Sequence, residues 1–579
     1  MKIVNKIIPS WLQHYQTKHL SHDVLAGVIF TILVIPQSLA YALLAGLPPH
    51  YGLYVSIFPV LAYIMFGSSM VQAVGPVAIT AIMTYSVLSP MASPGSSEYI
   101  MLSASLALFS GMILLLFGWF RLGFLSQLLS RPVMSGFISG SAVLIIISQL
   151  KSLLGISYQG GGIDVLFNTL TQQFSENNYM TMMMGLISFL VLILSRTYLA
   201  SLLTRFGLSR SRATFIARLV PLLIVFLATV LVVNFKLDVT ANVTVVGHIA
   251  EGLPGFEFFL PAYDTVKTLA LPALLMALIG MVQGISIAES LAIKRRERIK
   301  PNAELVGLGT SNIVAAFYGG MPVGAGVSRS AVNLASGAQT PLAGIVSAFM
   351  MMAIVAGASH WLARLPLTVL AANIMVAAIS MVDFKSFKHA WSYDKADGLA
   401  LLGTAGGVIL LGLEGGIILG VTLSLATLLY RASVPHIAVI GRIVGTEHFR
   451  NIARHHVETI PNVLFIRIDE SLFFGNLNAV EARLSNEMSK VKEMTDLVLV
   501  MNAVNRVDTT AMEVLNELNC DLLEQECKLH LAEIKGPVYD KLKYSPLLQS
   551  LSGEVFFTTN KAFEALADAR GYRQEEGKS

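Results

Sequence analysis

The chain has 579 residues, 54% of them hydrophobic and only 13% charged, with a mean hydropathy of +0.66. A soluble domain carries about 25% charged residues, and the charge here is uneven: 37 of the 76 Lys, Arg, Asp and Glu residues lie in 441–579 and 39 in the first 440. These figures exclude an all-soluble protein and the collagen-like, disordered and disulfide-framework classes, and they divide the chain into a long membrane part and an ordinary soluble one. The net charge of +4 gives no argument for a nucleic-acid partner.

Residues 1–22 are mixed in character and read as a cytoplasmic N-terminus. The apolar stretch that follows them is too long for the h-region of a signal peptide. From Val24 to Phe120 the only charged side chain is Glu98. At ~20 residues per helix, this stretch holds four spans, near 24–44, 51–66, 73–88 and 99–120. Further spans are expected near 133–150, 180–193, 218–233 and 268–288. The last six fall near 303–317, 326–338, 342–358, 367–381, 399–411 and 415–430, which makes fourteen within a membrane domain of residues 23–434. Five arginines and no acid occur between Arg196 and Arg218, and five basic residues with one acid between Lys294 and Lys300. Both loops therefore read as cytoplasmic, whereas Lys236–Lys267, with two basic and four acidic residues, suits the outside. Both termini then lie inside.

Two segments differ from the rest. Ala73-Val-Gly-Pro-Val-Ala78 interrupts the third stretch, and Gly319-Gly-Met-Pro-Val-Gly-Ala-Gly-Val-Ser-Arg-Ser330 the tenth. Counted in sevens, each is the third span of its half. Interrupted segments at matching positions of two halves point to an inverted-repeat transporter with its site at mid-membrane.

Past Val434-Pro435 the pattern alternates. Strands are expected at 462–468, 497–501, 528–534 and 555–558, with helices near 479–491, 510–526, 538–548 and 561–569. This alternation predicts a small α/β domain, residues 435–579, with a largely parallel sheet. Cys520 and Cys527, seven apart, suit one face of a helix, and no metal-type spacing accompanies them or His455-His456.

The run Ile35-Pro-Gln-Ser-Leu-Ala-Tyr-Ala-Leu-Leu-Ala-Gly-Leu-Pro-Pro-His-Tyr-Gly-Leu-Tyr54 resembles the sulfate permease (SulP) family of anion transporters. Gly67-Ser-Ser69, Ala73–Ala78, Ser328-Arg-Ser-Ala-Val-Asn333 and Gln339-Thr-Pro-Leu-Ala-Gly344 support the resemblance. The soluble end, with Ile468-Asp-Glu-Ser-Leu-Phe-Phe-Gly475 and Val507-Asp-Thr-Thr-Ala511, is similar to the STAS domain of these transporters. The resemblance implies a seven-plus-seven inverted-repeat fold, a homodimer in the bacterial inner membrane and elevator-like motion. It also implies no cofactor, and a STAS domain able to take a cytoplasmic protein partner.

Two half-helices meeting at mid-membrane offer unpaired N–H groups and positive dipole ends, which hold an anion without a charged side chain. The candidate donors are the amides near Gly75, Val77 and Ala78 and near Val327, Ser328 and Arg329, and Pro76, which lacks an N–H, suits a first helical turn. Arg329 is the only Lys or Arg between Lys300 and Arg364. An ionisable residue within the membrane is a functional candidate by default, although pairing with Glu304 or Glu289 is the rival reading. Gln37 and Tyr41 are four apart on one helix face, and the resemblance places both at the site. Gln283 stands where proton-coupled relatives carry an acid; an amide hydrogen-bonds but takes up no proton near neutral pH. Glu289, six residues on, falls about 240° round the helix and does not substitute for it.

In Asp508-Thr-Thr510 a threonine hydroxyl reads as the N-cap of a helix rather than as a phosphorylation site. No catalytic motif is present, so an enzyme is not expected. Sulfate is the first expected substrate. Bicarbonate and a dicarboxylate remain alternatives, as does a membrane-anchored STAS scaffold or sensor.

Overall fold

Apolar chain in lipid must satisfy its backbone internally, and helices do so within one segment. The computed structural model describes residues 9–572 apart from 14, 157–177, 248–251 and 358. The first eight and last seven residues of the expected termini lie outside the described residues. The chain forms two compact units, Met1–Leu425 and Ala426–Ser579.

The first unit is mostly helical, and each of the fourteen stretches overlaps a helix. These are α1 Leu20–Leu44, α2 Phe58–Phe66 behind a short turn of helix His50–Tyr54, α3 Ala78–Leu88, α4 Ser97–Trp119 and α5 Arg131–Leu154. They continue as α6 Tyr179–Leu194, α7 Arg210–Phe235, α8 Tyr263–Arg295, α9 Pro301–Tyr318 and α10 Val327–Ala335. The set ends with α11 Leu342–Gly357, α12 Leu367–Ile379 and α13 Lys395–Ser433. The run α13 covers the last two stretches, which are divided by a non-helical backbone at Gly412, φ 79°. Among the described residues, eight helices are long and apolar enough to cross a membrane by length and composition, while 50–66, α3 and α11 are shorter.

Two short strands, β1 Val74–Gly75 and β2 Gly324–Ala325, stand just before α3 and α10 and pair antiparallel, Val74 opposite Ala325. The interruptions are therefore extended segments. Pro76, expected in a first helical turn, lies ahead of α3 instead, because the chain stays extended through Val77. Between α4 and α9, a Cβ built at Gly111 would lie 2.8 Å from the Gly309 carbonyl oxygen, and one at Gly309 2.9 Å from that of Gly111. Only glycine lets two backbones approach so closely.

The second unit holds a six-stranded mixed sheet in the order β4-β3-β5-β6-β7-β8. Its strands are β3 Ile437–Arg442, β4 Phe449–Asn451, β5 Val463–Ile468, β6 Asp496–Val500, β7 Lys528–Ala532 and β8 Val555–Phe556. The β5 to β8 ladder is parallel, as the alternation predicts, and β3 runs antiparallel to β4 and β5. The sequence reading lacks β3 and β4. Helices α14 Leu477–Met488, α15 Thr509–Glu524, α16 Gly536–Leu542 and α17 Thr559–Ala569 accompany the sheet.

Two expectations are corrected here. The α15 helix ends at Glu524, so Cys527 sits buried ahead of β7 while Cys520 is exposed on the helix; the two do not share a helical face. The α15 cap is the Asp508 carboxylate, which accepts from the Ala511 N–H at 2.9 Å, rather than a threonine hydroxyl.

Candidate functional site

The site forms where α3 and α10 begin. Val77 and Gly326 occupy the N-cap positions, and neither helix has a side-chain cap. First-turn N–H groups left without a cap seek an acceptor from elsewhere. The two starts are fastened by the β1–β2 pair and by side chains. The Ala73 N–H donates to Ser330 Oγ at 2.9 Å, the Gly326 N–H to the Ala73 carbonyl at 3.1 Å, and Asn333 Nδ2 to the Val71 carbonyl at 3.0 Å. Asn312 of α9 pairs both ways with Val323, donating to its carbonyl and accepting from its N–H, each at 3.0 Å.

A cavity of about 840 Å³ opens beside these helix starts. Eight of the nine sequence-predicted residues line it: Gln37 and Tyr41 from α1, Val77 and Ala78 at the head of α3, Gln283 from α8, and Val327, Ser328 and Arg329 at the head of α10. Gly75 does not line the cavity. It lies on β1 against the Arg329 guanidinium, where an added Cβ would stand 2.3 Å from Nη1.

Arg329 is 3% exposed. Its Nη2 donates to Ser38 Oγ at 3.0 Å, its Cζ lies 5.8 Å from the centre of the Tyr41 ring, and its buried Nε has no hydrogen-bond partner among the described residues. A buried cation with a free donor has the chemistry to receive an anion.

Neither expected carboxylate partner pairs with it. Glu304, fully buried in the first turn of α9, accepts from Tyr63 Oη (2.6 Å), the Ser68 N–H (2.8 Å), Ser68 Oγ (2.6 Å) and the Ser69 N–H (2.8 Å). Glu289 is exposed on α8.

Sequence reasoning passed over Ser38, Ser330, Asn312 and Asn333 as site residues, took Glu304 only as a rival partner for Arg329, and passed over Arg196, Asn373 and Asp383, which also line the cavity. An acid so close to an apolar helix was a signal for Glu304. Serines within apolar helices gave none.

Residues 20–404 match the sulfate permease family model, and 455–569 match the STAS domain model. The chain belongs to the sulfate permease family. Relatives of this permease include "Probable sulfate transporter MT1781" of Mycobacterium tuberculosis, 32% identical over 94% of this chain and 95% of that one. Another is "Sulfate transporter 4.1, chloroplastic" of Arabidopsis thaliana, 30% identical over 94% of this chain and 80% of the relative. The fold matches the structure described as the overall structure of SLC26A9, with a TM-score of 0.87 at 22% identity, covering 100% of this chain and 95% of that one. The permease is a membrane transporter with a C-terminal STAS domain, and its relatives are transporters rather than enzymes.

Proposed function

We propose that this protein is a secondary transporter that carries an inorganic oxyanion, sulfate first among them, across the bacterial inner membrane. The observation that carries the proposal is Arg329, buried at the head of α10 in the cavity wall with an Nε–H that has no partner among the described residues. Gln37, Tyr41, Gln283 and Ser328 add neutral donors around the same cavity, and the uncapped starts of α3 and α10 add two positive dipole ends. The names of the relatives favour sulfate. Backbone dipoles and one guanidinium suit any small oxyanion, so bicarbonate and dicarboxylates are the alternatives to test. The proposal extends to an elevator-like movement of the Arg329-bearing segments, a homodimer with cytoplasmic termini, and a STAS domain that regulates transport or docks a protein.

Counter-transport of labelled sulfate in proteoliposomes tests this reading, with bicarbonate and fumarate as competitors. The wild type exchanges sulfate, and Arg329→Ala cuts the rate at least ~100-fold while keeping its folded size in detergent. Arg329→Lys recovers only part, because the planar fork is lost. Wild-type exchange by a correctly inserted Arg329→Ala protein places the site elsewhere. Failure of the wild type to move any of the three anions overturns the transporter reading itself.

A further inference from the structure

Arg329 does not stand alone in its pocket. Its Nη2 donates to Ser38 Oγ at 3.0 Å, and Ser38 Oγ lies 2.9 Å from Ser56 Oγ. Ser56 Oγ donates to the Gly52 carbonyl at 2.8 Å. A serine hydroxyl has one proton. Ser56 gives its proton to Gly52, so Ser38 must give its own to Ser56, and the Ser38 oxygen is left to accept from Arg329. Every proton in the chain then has one direction, from the guanidinium to a backbone carbonyl. Ser38 is fully buried and Ser56 5% exposed, so water does not compete for either.

The anchor is rigid. A Cβ built at Gly52 would fall 1.8 Å from the Ser38 carbonyl oxygen, which shows how tightly the 50–54 helical turn presses on α1. On its other side the guanidinium is stopped by the Gly75 backbone, 2.3 Å from Nη1 to where a side chain would begin.

We infer that Ser38 and Ser56 are positioning residues for anion binding: their hydroxyl chain holds the Arg329 guanidinium by Nη2 beside the cavity and leaves its other N–H groups for an oxyanion. The inference rests on the anion-transport reading above. It gives Ser38 and Ser56, neither of them in the cavity wall, a role in specificity. Guanidinium held by one terminal nitrogen keeps its orientation while the anion enters and leaves, so no rearrangement is needed at each cycle.

Sulfate exchange and thermal stability of the full-length protein test the idea together. Ser38→Ala removes the Nη2 acceptor and raises the sulfate KM roughly ten-fold, with kcat nearly unchanged. Ser56→Ala removes only the acceptor of Ser38 and raises KM by about three-fold, and it stands in where Ser38→Ala folds poorly. A neutral background supplies the readout that mere packing would not move. Without anion, Ser38→Ala lowers the melting temperature of the wild type, where it orphans a buried charged donor, and has little effect on Arg329→Gln, where no such donor remains. Equal losses in both backgrounds, or unchanged KM in folded Ser38→Ala and Ser56→Ala proteins, overturn the inference. Failure of the underlying reading looks different: Arg329→Ala itself then exchanges sulfate normally.

Discussion

Replacing Glu304 tests whether the anion site is held from outside its own walls. Its Oε1 accepts three bonds, from the N–H and Oγ of Ser68 and the N–H of Ser69, while Oε2 accepts one, from Tyr63 Oη. Ser68 and Ser69 belong to the link between α2 and β1, so the carboxylate ties α9 to the strand that supports Arg329. Glu304→Ala strands four donors. Ser68 Oγ can turn toward the Lys300 carbonyl, 3.5 Å away, but Tyr63, 2% exposed, and the Ser69 N–H stay buried. At about 1–3 kcal/mol for each buried unsatisfied donor, the alanine costs about 2–6 kcal/mol. Glu304→Gln behaves otherwise. Its carbonyl oxygen can take the three-donor side and its NH2 can face Tyr63, whose hydroxyl turns to accept. Only the extra strength of bonds to a charged acceptor is lost, about 1 kcal/mol. Thermal unfolding of the detergent-solubilised protein, with sulfate exchange on the same samples, reads both. The alanine should melt many degrees lower and the glutamine within a few. An alanine variant as stable as wild type, or a glutamine variant as damaged as alanine, refutes the reasoning.

Gln283→Glu places a carboxylate on the cavity wall; ionised it repels a divalent anion and protonated it does not, so sulfate exchange should become more acid-dependent than wild type across roughly pH 5–8. Parallel pH profiles at equal surface expression contradict the placement of Gln283. In the STAS domain, burial works to raise the Asp496 carboxyl, but hydrogen bonds from His530, Thr495 and Arg570 outweigh it and hold the pKa at about 2. A depressed carboxylate stabilises above its unfolded value and loses that contribution as pH falls through the folded one. Protection of β6 and β7 from hydrogen exchange should therefore drop between about pH 4 and pH 2, by an order of 1–2 kcal/mol, and Asp496→Asn should flatten the dependence. Burial first, then the nearby Asp496 charge, pushes the Cys527 thiol up to about 11, so maleimide at pH 7 should label exposed Cys520 and spare Cys527 until the protein is denatured.

The membrane helices were legible because twenty or so apolar residues in lipid have few conformations open to them. The two interruptions were legible because Gly-Pro and Gly-rich segments cannot continue a helix. Sequence spacing placed Gln37 with Tyr41 and Ser328 with Arg329, and the structure gathers all four on one cavity. What the sequence hid was long-range. Ser38 and Ser56 serve Arg329 across 291 and 273 positions of chain, and nothing local distinguishes them from serines such as Ser105, which bonds its own helix at Met101. The missed strand β3 follows directly on an apolar helix, so its Ile437-Ala-Val-Ile run reads as more of the same composition. Cys527 was misread because a seven-residue spacing fits a helix only if the helix persists, and α15 stops at Glu524.

The way the site is fastened bears on how it can move. Ser330 and Asn333 of α10 bond to Ala73 and Val71, Asn312 of α9 bonds to Val323, Thr80 of α3 lies 3.4 Å from the Pro322 carbonyl, and Glu304 of α9 holds Ser68 and Ser69. To shift α3 or α10 alone, the protein would have to break several of these buried bonds at once, each costing about 1–3 kcal/mol. Shifting α1 to α4 and α8 to α11 together, with the 67–77 link, breaks none of them, nor the bonds of Tyr63 to Glu304, Ser311 to the Pro59 carbonyl and Thr31 to Ser347. Among the other helices, Arg196 donates to the Val376 carbonyl and Thr368 to the Leu153 and Thr181 carbonyls, so α5, α6 and α12 are fastened to one another in turn. None of the bonds named on either side crosses the cavity. The elevator-like movement proposed above would then part the helices that carry Arg329 from those that carry Arg196. On that proposed reading, an anion held at the heads of α3 and α10 would travel with the first body, because the donors assigned to it belong to that body.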